Sequence, residues 1–417
     1  MKKRMIISCL LLSLFMMPVS CGDNNVSENP NGVTNATEHG VTVDNTGAEN
    51  SRNLQKLIDS LSKEGGTVYI PAGEYEFAEN GTQTIGSHCI KMKSNVSIIG
   101  DGSDTVLKPV GESAYGLDMF YFNDYLDTGE AVYLENCSFE RFTIDAEATS
   151  LKTYTSAGKG FMFNLFRNCQ WKHVTVKNTD ATGFGIDCPI ESRITDCTAI
   201  GCGKAANDGS SGASGFGIGF GYTDGEDILV SRCHSYGNQK FGFFFEHQGR
   251  FTSEKYEAYE LHDFNVSDCT ASGNLYNFGG ICAMNVSYIN CSSRAARQYG
   301  FYFENSTDSG AVSCVSTDDA DTSFVILQSD SYEVEGVYFE NCVVSTVPCG
   351  VKIMSDGTAT VADNTVKNCS FSSIGTYTVY TSGNMQSLTL IDNITDLNTN
   401  SISAGIVYLE NSENSWN

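Results

Sequence analysis

Carboxylates recur at one position of a short pattern in the middle of the chain. Asp187 lies in "GFGIDCP", Glu246 in "GFFFEHQ" and Glu304 in "GFYFENS". In each stretch the second and fourth residues are apolar and the acid is fifth, and alternate residues of a strand face opposite sides. The pattern therefore predicts strands that bury their second and fourth residues and present the three acids outward.

The spacing of these acids suits glycosidic-bond chemistry. Two related stretches, "GFGIGFG" and "GGICAMN", place Gly219 and Ala283 at the fifth position between the acids. If neighbouring strands stack about 4.8 Å apart, Asp187 and Glu246 are roughly 10 Å apart, as are Glu246 and Glu304. Inverting glycosidases hold two carboxyl groups about 6.5–9.5 Å apart, with a water between them. We therefore take Glu246, Asp187 and Glu304 as the catalytic candidates.

Aromatic residues flank the acids at the outward third position. This position holds Phe244 and Tyr302, which we expect to bind sugar rings, and Phe244 would raise the pKa of Glu246 by desolvation. The remaining third-position residues are small or aliphatic: Gly185, Gly217 and Ile281. The alternative stays open that these acids and small residues only keep like charges apart on a solvated face, with a loop over Phe244.

Further substrate-binding candidates lie in or near two insertions, residues 203–215 and 247–263. Loop insertions of a solenoid often map to its binding face. His247 follows Glu246 and reaches the groove only if the chain turns there, because the next residue of a strand points to the opposite side. A loop acid, including Glu226, is an alternative catalytic base. The substrate-binding candidates of this group are Asp208, Asp224, His247, Arg250 and Arg297.

A longer repeat sets the positions of these strands. Nine times a polar residue, usually Asn or Asp, directly precedes a cysteine, and successive cysteines are 22 to 36 residues apart. One strand per repeat, stacked in register, is typical of a parallel β-helix, in which the cysteines would form a ladder of small buried side chains. Disulfides between coils are an open alternative, and the lack of a CxxC pair disfavours a metal site. The nine are Cys137, Cys169, Cys197, Cys233, Cys269, Cys291, Cys314, Cys342 and Cys369.

The N-terminal part of this repeat region begins with a helix. Apolar residues at helical spacing predict a helix in "SRNLQKLIDSLSKEGG", with Ser51 as its cap and Gly65 as its stop. This helix would cover the open end of the first coil. The longer stretch 45–77 resembles the opening of the pectate-lyase-like superfamily of right-handed β-helices, and "SIIGDGSDTVLKP" resembles its next coil. The resemblance implies an all-β, single-stranded right-handed parallel β-helix with an N-terminal capping helix.

The same resemblance leaves the reaction open, because this fold hosts hydrolases, lyases, epimerases and tail spikes. Polygalacturonase-type hydrolases carry an NTD motif, an Asp pair, GHG and RIK. Here NTD occurs at 178–180 and GFG stands where GHG is expected, whereas the Asp pair and RIK are missing. Uronate epimerases carry YG-x-D-P-H, which "FGFFFEH" resembles faintly. Lyases of this fold use a basic residue, often with calcium, and no basic residue stands in the outward acid column.

The N-terminus predicts export. Residues 1–20 combine three basic residues with an apolar run and read as a signal peptide. "PVSCG" resembles a lipobox with Cys21 as the lipidated residue, and residues 21–39 form an acidic, Asn-rich tether before a single β-helix domain over 40–417. We expect a surface-exposed outer-membrane lipoprotein that touches the membrane only through Cys21. Plain periplasmic secretion is the alternative.

Charge narrows the class of partner. Without residues 1–20 the chain has 22 basic and 50 acidic residues, a net charge of −28, which disfavours nucleic acid and tilts the expectation toward a neutral glycan. The combined prediction is a polysaccharide hydrolase with paired carboxylates and no metal or other cofactor. A lyase or epimerase acting on a uronate, with calcium if a lyase, is one alternative; a non-catalytic glycan-binding solenoid is the other.

Overall fold

The chain winds into a solenoid whose typical coil contributes three short strands, each paired in parallel with its equivalent in the next coil. The computed structural model describes residues 32–83, 85–123, 132–206, 213–222, 225–248, 262–396, 400–401 and 405–416. This arrangement confirms the predicted parallel β-helix. The expectation of one strand per repeat is corrected to three, because the short strands on either side of each cysteine also pair between coils.

The strands of the aligned column form one sheet, here called the front sheet. Two long strands, Val343–Ser355 and Ser370–Ser382, end in it, and Leu134–Glu135 and the antiparallel Gly81–Gln83 flank it. The other strands of the front sheet are Gly86–Lys91, Leu117–Phe122, Phe161–Arg167, Phe184–Ile190, Phe216–Phe220, Phe241–His247, Tyr276–Ile281, Tyr299–Glu304 and Thr322–Gln328.

A second sheet follows the front sheet in each coil. Ser138–Asp145 and Gln170–Lys177 begin in this sheet and continue into the third. Its other strands are Val33–Asn35, Gly66–Tyr69, Val96–Ile99, Ser192–Thr195, Glu226–Ser231, His262–Ser267, Val286–Ile289, Gly310–Val312, Tyr338–Glu340, Asn364–Lys367, Met385–Ile391 and Ile406–Ser412.

The third sheet closes the coil, and the long strands Val343–Ser355 and Ser370–Ser382 start in it. Two further parallel pairs lie outside the three sheets, Gly111–Ser113 with Thr149–Leu151 and Val334–Glu335 with Val361–Ala362. The remaining third-sheet strands are Gly73–Phe77, Thr105–Pro109, Thr198–Ile200, His234–Tyr236, Thr270–Ser272, Ser292–Arg294, Val315–Thr317, Ile394–Thr395 and Ser415–Trp416.

The interior of the solenoid is built from repeated side-chain ladders. Successive second-position phenylalanines of the front sheet stack with ring centroids 4.6 Å apart for Phe184 and Phe216, 4.7 Å for Phe216 and Phe243, and 5.1 Å for Phe243 and Phe278. All four rings are buried. Parallel in-register strands bring like residues into contact at this spacing, so one aromatic per coil is enough to fill the front of the core.

The cysteine ladder is confirmed. All nine repeated cysteines are buried and free, so the disulfide alternative does not describe this structure. The residue before each cysteine has a left-handed backbone, with φ of 58° at Asn136, 55° at Asp196 and 53° at Asn290. Asn and Asp tolerate this conformation better than other non-glycine residues, which explains why they recur before the cysteines. The seven cysteines from Cys197 to Cys369 lie at the corner between the second and third sheets, whereas Cys137 and Cys169 lie one corner earlier, before the second sheet.

The helix spans Gly47–Leu61, and a short 3-10 helix, Ala36–His39, precedes it. Thr46, not Ser51, is its N-cap, because Thr46 and Glu49 form a reciprocal capping box. Ser51 lies one turn inside, where its hydroxyl donates to the Ala78 carbonyl at 2.7 Å. Buried Leu54 and Ile58 pack on the core, as the spacing predicts. Among the described residues, no helix has the length and hydropathy needed to cross a membrane.

Candidate active site

The outer face of the front sheet carries the predicted acids in one ladder. Backbone pairing places Asp187 beside Gly219, Gly219 beside Glu246, Glu246 beside Ile281 and Ile281 beside Glu304. Two strand spacings, roughly 10 Å, therefore separate the backbones of successive acids, as the sequence predicts.

One register in this column needs correction. Ile281, not Ala283, occupies the fifth position, and Gly279, not Ile281, lies beside Phe244 at the third. The correct alignment sets buried Phe278 against buried Phe243, whereas matching glycine with glycine shifts the stretch by two residues. Because side chains alternate with a period of two along a strand, a shift of two residues left each residue on its predicted face. It changed which residue lies between Glu246 and Glu304, from Ala283 to Ile281.

Asp187 has the surroundings expected of a general acid. Its Oδ1 accepts a hydrogen bond from the Gly219 backbone N–H at 2.7 Å. Burial raises the pKa of the Asp187 carboxyl above its usual value, while the positive charge of Lys159 and the Gly219 hydrogen bond act to lower it. Desolvation outweighs both, so the protonated form is favoured to a higher pH than for an exposed aspartate.

Lys159 joins Asp187 to a second buried acid. The lysine side chain crosses Gly185, where a Cβ atom would lie only 2.9 Å from the Lys159 Nζ. Its charge also acts on Asp118, which is buried and accepts from the backbone N–H groups of Gly158 at 2.8 Å and Lys159 at 2.6 Å. Burial raises the pKa of the Asp118 carboxyl. The charge of one lysine thus acts on two carboxyl groups, Asp187 on the outer face and the fully buried Asp118.

Glu246 and Asp187 face each other across Gly219. The Gln248 amide Nε2 lies 3.5 Å from the Glu246 Oε2. A Cβ atom on Gly219 would lie 2.6 Å from the Asp187 Oδ1 and 2.7 Å from the Gln248 Nε2. Both side chains therefore converge above this glycine, and any larger residue would displace them from the space between the acids.

Glu304 is held by its neighbours. Its Oε2 accepts from the Tyr302 hydroxyl at 2.8 Å, and its Oε1 accepts from the Ser329 hydroxyl at 2.7 Å. Phe244 is half-buried on the outer face, with its ring centroid 4.4 Å from that of Phe241. The structure thus brings Glu304, Tyr302 and Phe244 onto the face that also carries Glu246.

His247 points into the solenoid. Its imidazole is buried and lies edge-on to Phe220, with ring centroids 5.1 Å apart. Glu226 is also buried; its carboxylate accepts from the Tyr222 N–H at 2.9 Å and lies 3.6 Å from the His262 Nδ1. The strand therefore continues through His247 without the turn that would bring this side chain to the outer face. Glu226 begins a strand of the second sheet and is buried there, so it does not reach the outer face either.

The other predicted site residues lie elsewhere. The Arg297 guanidinium donates to the main-chain carbonyls of Asn238, at 3.0 Å, and Gln239, at 2.5 Å, and thereby ties a corner of the solenoid. The remaining predicted positions fall outside the described residues: Asp208, Asp224, Arg250 and Cys21.

The sequence analysis missed Lys159 and Gln248 beside the outward acids, and the buried Asp118 on which the Lys159 charge acts. Lys159 directly precedes "GFMFN", one coil before "GFGIDCP", and extending the aligned column backwards finds it. Nothing comparable marks Asp118, because its burial arises from the coil that covers it. Within the described ranges, no cluster of three or more His, Cys, Asp or Glu side chains has the arrangement of a metal site.

Comparison with known families agrees with this architecture. Residues 33–273 match the sequence model of a family described as rhamnogalacturonase A/epimerase, pectate lyase-like. The chain belongs to this family. The match confirms the resemblance to right-handed pectate-lyase-like β-helices and places the chain among carbohydrate-active enzymes.

Curated relatives match over a short segment. Mannuronan C5-epimerase AlgE3 of Azotobacter vinelandii is 37% identical over 98 residues, which is 20% of this chain and 5% of the relative. Mannuronan C5-epimerase AlgE1 of the same organism is 39% identical over 84 residues, 19% of this chain and 6% of the relative. The chain thus spans about a twentieth of the length of these relatives.

Solved structures share the fold over most of the chain. The A-module of A. vinelandii mannuronan C-5 epimerase AlgE4 superposes with a TM-score of 0.57 at 17% identity, covering 91% of this chain and 99% of the module. The catalytic domain of a GH87 alpha-1,3-glucanase, in complex with tetrasaccharides, gives 0.59 at 10% identity and covers 95% and 71%. A tailspike protein of E. coli bacteriophage HK620, in complex with a pentasaccharide, gives 0.54 at 16% identity and covers 89% and 63%.

Proposed function

We propose that the protein hydrolyses glycosidic bonds of a neutral polysaccharide, with Asp187 as the general acid and Glu246 as the base that activates water. The observation that carries this proposal is the pair of outward carboxyl groups two strands apart across Gly219. Side chains that lean together shorten the roughly 10 Å between their backbones toward the separation of an inverting pair.

The two carboxyl groups have different surroundings, as an acid and a base require. Burial keeps Asp187 protonated to a higher pH, so it can donate its proton to the departing glycosidic oxygen. Glu246 lies on the far side of the gap, where its carboxylate takes a proton from water as the water attacks the sugar. The Gln248 amide beside Glu246 provides a hydrogen-bonding group for that water or for a sugar hydroxyl.

Charge supports a neutral substrate. Three acids, Asp187, Glu246 and Glu304, follow one another on the outer ladder of the front sheet, and the whole chain is strongly acidic. A polyanionic glycan would meet repulsion along this ladder.

A second candidate, an epimerase or lyase acting on a uronate polymer, is favoured by Lys159. Its ammonium lies next to Asp187 across Gly185, where it would neutralise a substrate carboxylate while a neighbouring group removes a proton from the sugar. The two relatives from Azotobacter vinelandii are mannuronan C5-epimerases.

The test is to incubate the chain from residue 21 onward with a panel of neutral and acidic polysaccharides and to weigh the products. Hydrolysis adds one water per cleavage, a lyase gives unsaturated fragments, and an epimerase incorporates solvent deuterium without cleavage. We expect products with added water, lost in both Asp187→Asn and Glu246→Gln and kept in Asp263→Asn, an exposed acid on the second sheet.

Each other result identifies an alternative. Unsaturated fragments, or deuterium uptake abolished by Lys159→Met, would replace hydrolysis with the second candidate, and added calcium would then be tested for stimulation. Binding without any product would favour a non-catalytic glycan-binding solenoid.

We also propose that Cys21 carries a lipid anchor and that the domain lies on the outer surface of the outer membrane. Labelling of cells with a fatty-acid analogue should mark the protein and should fail with Cys21→Ser. Release of the unlabelled protein into the periplasmic fraction from the parent sequence would contradict the anchor.

A further inference from the structure

An aromatic cluster lies on the outside of the solenoid, beside the acids but separate from the interior core. Tyr276 and Tyr299 stack with ring centroids 5.3 Å apart and planes 7° apart. Tyr302 lies 4.7 Å from Tyr276 and 5.5 Å from Tyr299, again with near-parallel planes. Phe241 and Phe244 continue the cluster toward Glu246, with Phe241 4.9 Å from Tyr276.

The fold does not require these aromatics. In the coils that follow, the position of Tyr276 and Tyr299 is taken by Thr322 and then by Cys349, within the same sheet and the same register. The interior phenylalanines of these strands are fully buried, whereas Tyr276 and Tyr299 are half-buried and keep part of each ring accessible. The cluster therefore presents an aromatic surface that packing alone does not explain.

Polar groups hold and border this surface. The Tyr302 hydroxyl donates to Glu304, whose other oxygen is bound by the Ser329 hydroxyl, so the ring is fixed in place. At the far side, the Lys352 Nζ lies 2.5 Å from the Asp321 Oδ1. Rigid aromatic rings flanked by charged and hydroxyl groups match the apolar faces and hydroxyl edges of sugar rings.

We propose that Tyr276 and Tyr299, supported from below by the buried Tyr302, form a distal subsite that binds sugar units of an extended, neutral polysaccharide running across the strands of the front sheet. The strand of Tyr299 and Tyr302 is four strands from that of Asp187, about 19 Å at the usual strand spacing. A single sugar cannot span this distance, so contact with both the acids and the tyrosines requires a chain of several sugar units. The inference rests on the proposed function for the identity of the cleavage site, and its binding test does not.

The test is electrophoresis through native gels that contain xylan, galactomannan, mixed-linkage β-glucan or starch. The inactive Asp187→Asn chain is used, so that binding is measured without cleavage. We expect at least one of the four polysaccharides to retard this chain, and a further Tyr276→Ala/Tyr299→Ala change to weaken that binding about tenfold or more, since each tenfold corresponds to about 1.4 kcal/mol. Tyr276→Phe should keep most of the binding, because the ring remains.

Tyr236→Ala serves as the matched control, because this tyrosine is 38% exposed on the third sheet, away from the cluster. Its variant should bind as the parent does, and an unchanged melting temperature of the double variant should show that it folds. Equal retardation of the double variant and its parent would overturn the subsite, as would the absence of retardation in all four gels.

The outcome for the tyrosine subsite can be distinguished from the outcome for the proposed hydrolase. Tyrosine-dependent retardation together with no hydrolysis by the active chain would keep the subsite and remove the hydrolase. Hydrolysis lost in Glu246→Gln, with binding indifferent to Tyr276 and Tyr299, would keep the hydrolase and remove the subsite. With both correct, the double variant should raise the KM for long oligosaccharides about tenfold and leave that for a disaccharide unchanged.

Discussion

The two faces of the front sheet share one backbone and one register but differ in how their residues vary. On the inner face the same residue type recurs, as in the stack of Phe184, Phe216, Phe243 and Phe278. On the outer face the residue changes at every strand of the ladder. Inside a solenoid each coil packs against the equivalent residues of the next coil, which favours the same residue type at each level. Packing does not require the residue type to change from strand to strand on the outer face. The outer ladder runs through Asn164, Asp187, Gly219, Glu246, Ile281 and Glu304.

Two adjacent phenylalanines give the largest expected contrast between these faces. Phe243 is 1% exposed within the stack, and Phe243→Ala should lower the free energy of unfolding by about 4 kcal/mol. Phe244 faces outward and is half-buried, so Phe244→Ala should cost much less stability and reduce glycan binding instead. Chemical denaturation of both variants measures the difference. Equal losses would show that the outer face is packed like the core.

A buried acid gives the next contrast, at the corner between the third sheet and the front sheet. Asp319 accepts from the Ser316 and Ser323 hydroxyls and the Ala296 N–H, and burial raises its pKa to about 6. A raised pKa means that the folded state binds the proton more tightly, so this group's contribution to stability falls as pH rises from about 4 to 6.

Asp319→Asn should therefore gain up to about 3 kcal/mol relative to the parent between pH 4 and pH 7. Unfolding by urea at several pH values measures this difference, and glycan cleavage at constant pH should not change. A difference in stability that does not vary with pH would contradict the assignment of the proton to Asp319.

Gly219 tests the space between Asp187 and Glu246, the two acids proposed to be catalytic. Gly219→Ala places a methyl group where Asp187 and Gln248 converge, which requires these side chains to move by about 1 Å and should lower kcat about 100-fold. Gly217→Ala, two residues earlier on the same strand, would meet only the Thr182 methyl at 3.1 Å and is the control. Similar activities of the two variants would show that the gap above Gly219 is not where the reaction occurs.

The smallest expected effect is a shift in pH dependence. Lys159 acts to lower the pKa of Asp187, so Lys159→Met should raise it further and move the alkaline limb of the kcat profile to higher pH. Lys172→Met, an exposed lysine on another sheet, should leave the profile unchanged. A limb that stays in place or moves to lower pH would show that the Lys159 charge does not lower the pKa of the group that titrates during catalysis.

Repetition made the fold predictable from the sequence, and the same repetition limited the prediction of the site. The recurring cysteines and apolar pairs predict the coil, the core ladders and the outward acids, because each pattern occurs in many coils of the sequence. The influence of the Lys159 charge on Asp187 occurs once and depends on a long side chain that crosses Gly185. The two-residue error in the alignment at Gly279 arose because two adjacent glycines have no side chain that shows which face of the strand each position occupies.

The left-handed residue before each cysteine from Cys197 to Cys369 gives these coils the same corner between the second and third sheets. Successive cysteines stay in contact although the chain between them is 36 residues long from Cys233 to Cys269 and 23 from Cys291 to Cys314. Additions or deletions elsewhere in a coil are therefore absorbed without disturbing its neighbours. In evolution or in the laboratory, segments bordering the acids can be exchanged between related solenoids as separate cassettes, which gives a route to new sugar specificities on an unchanged frame.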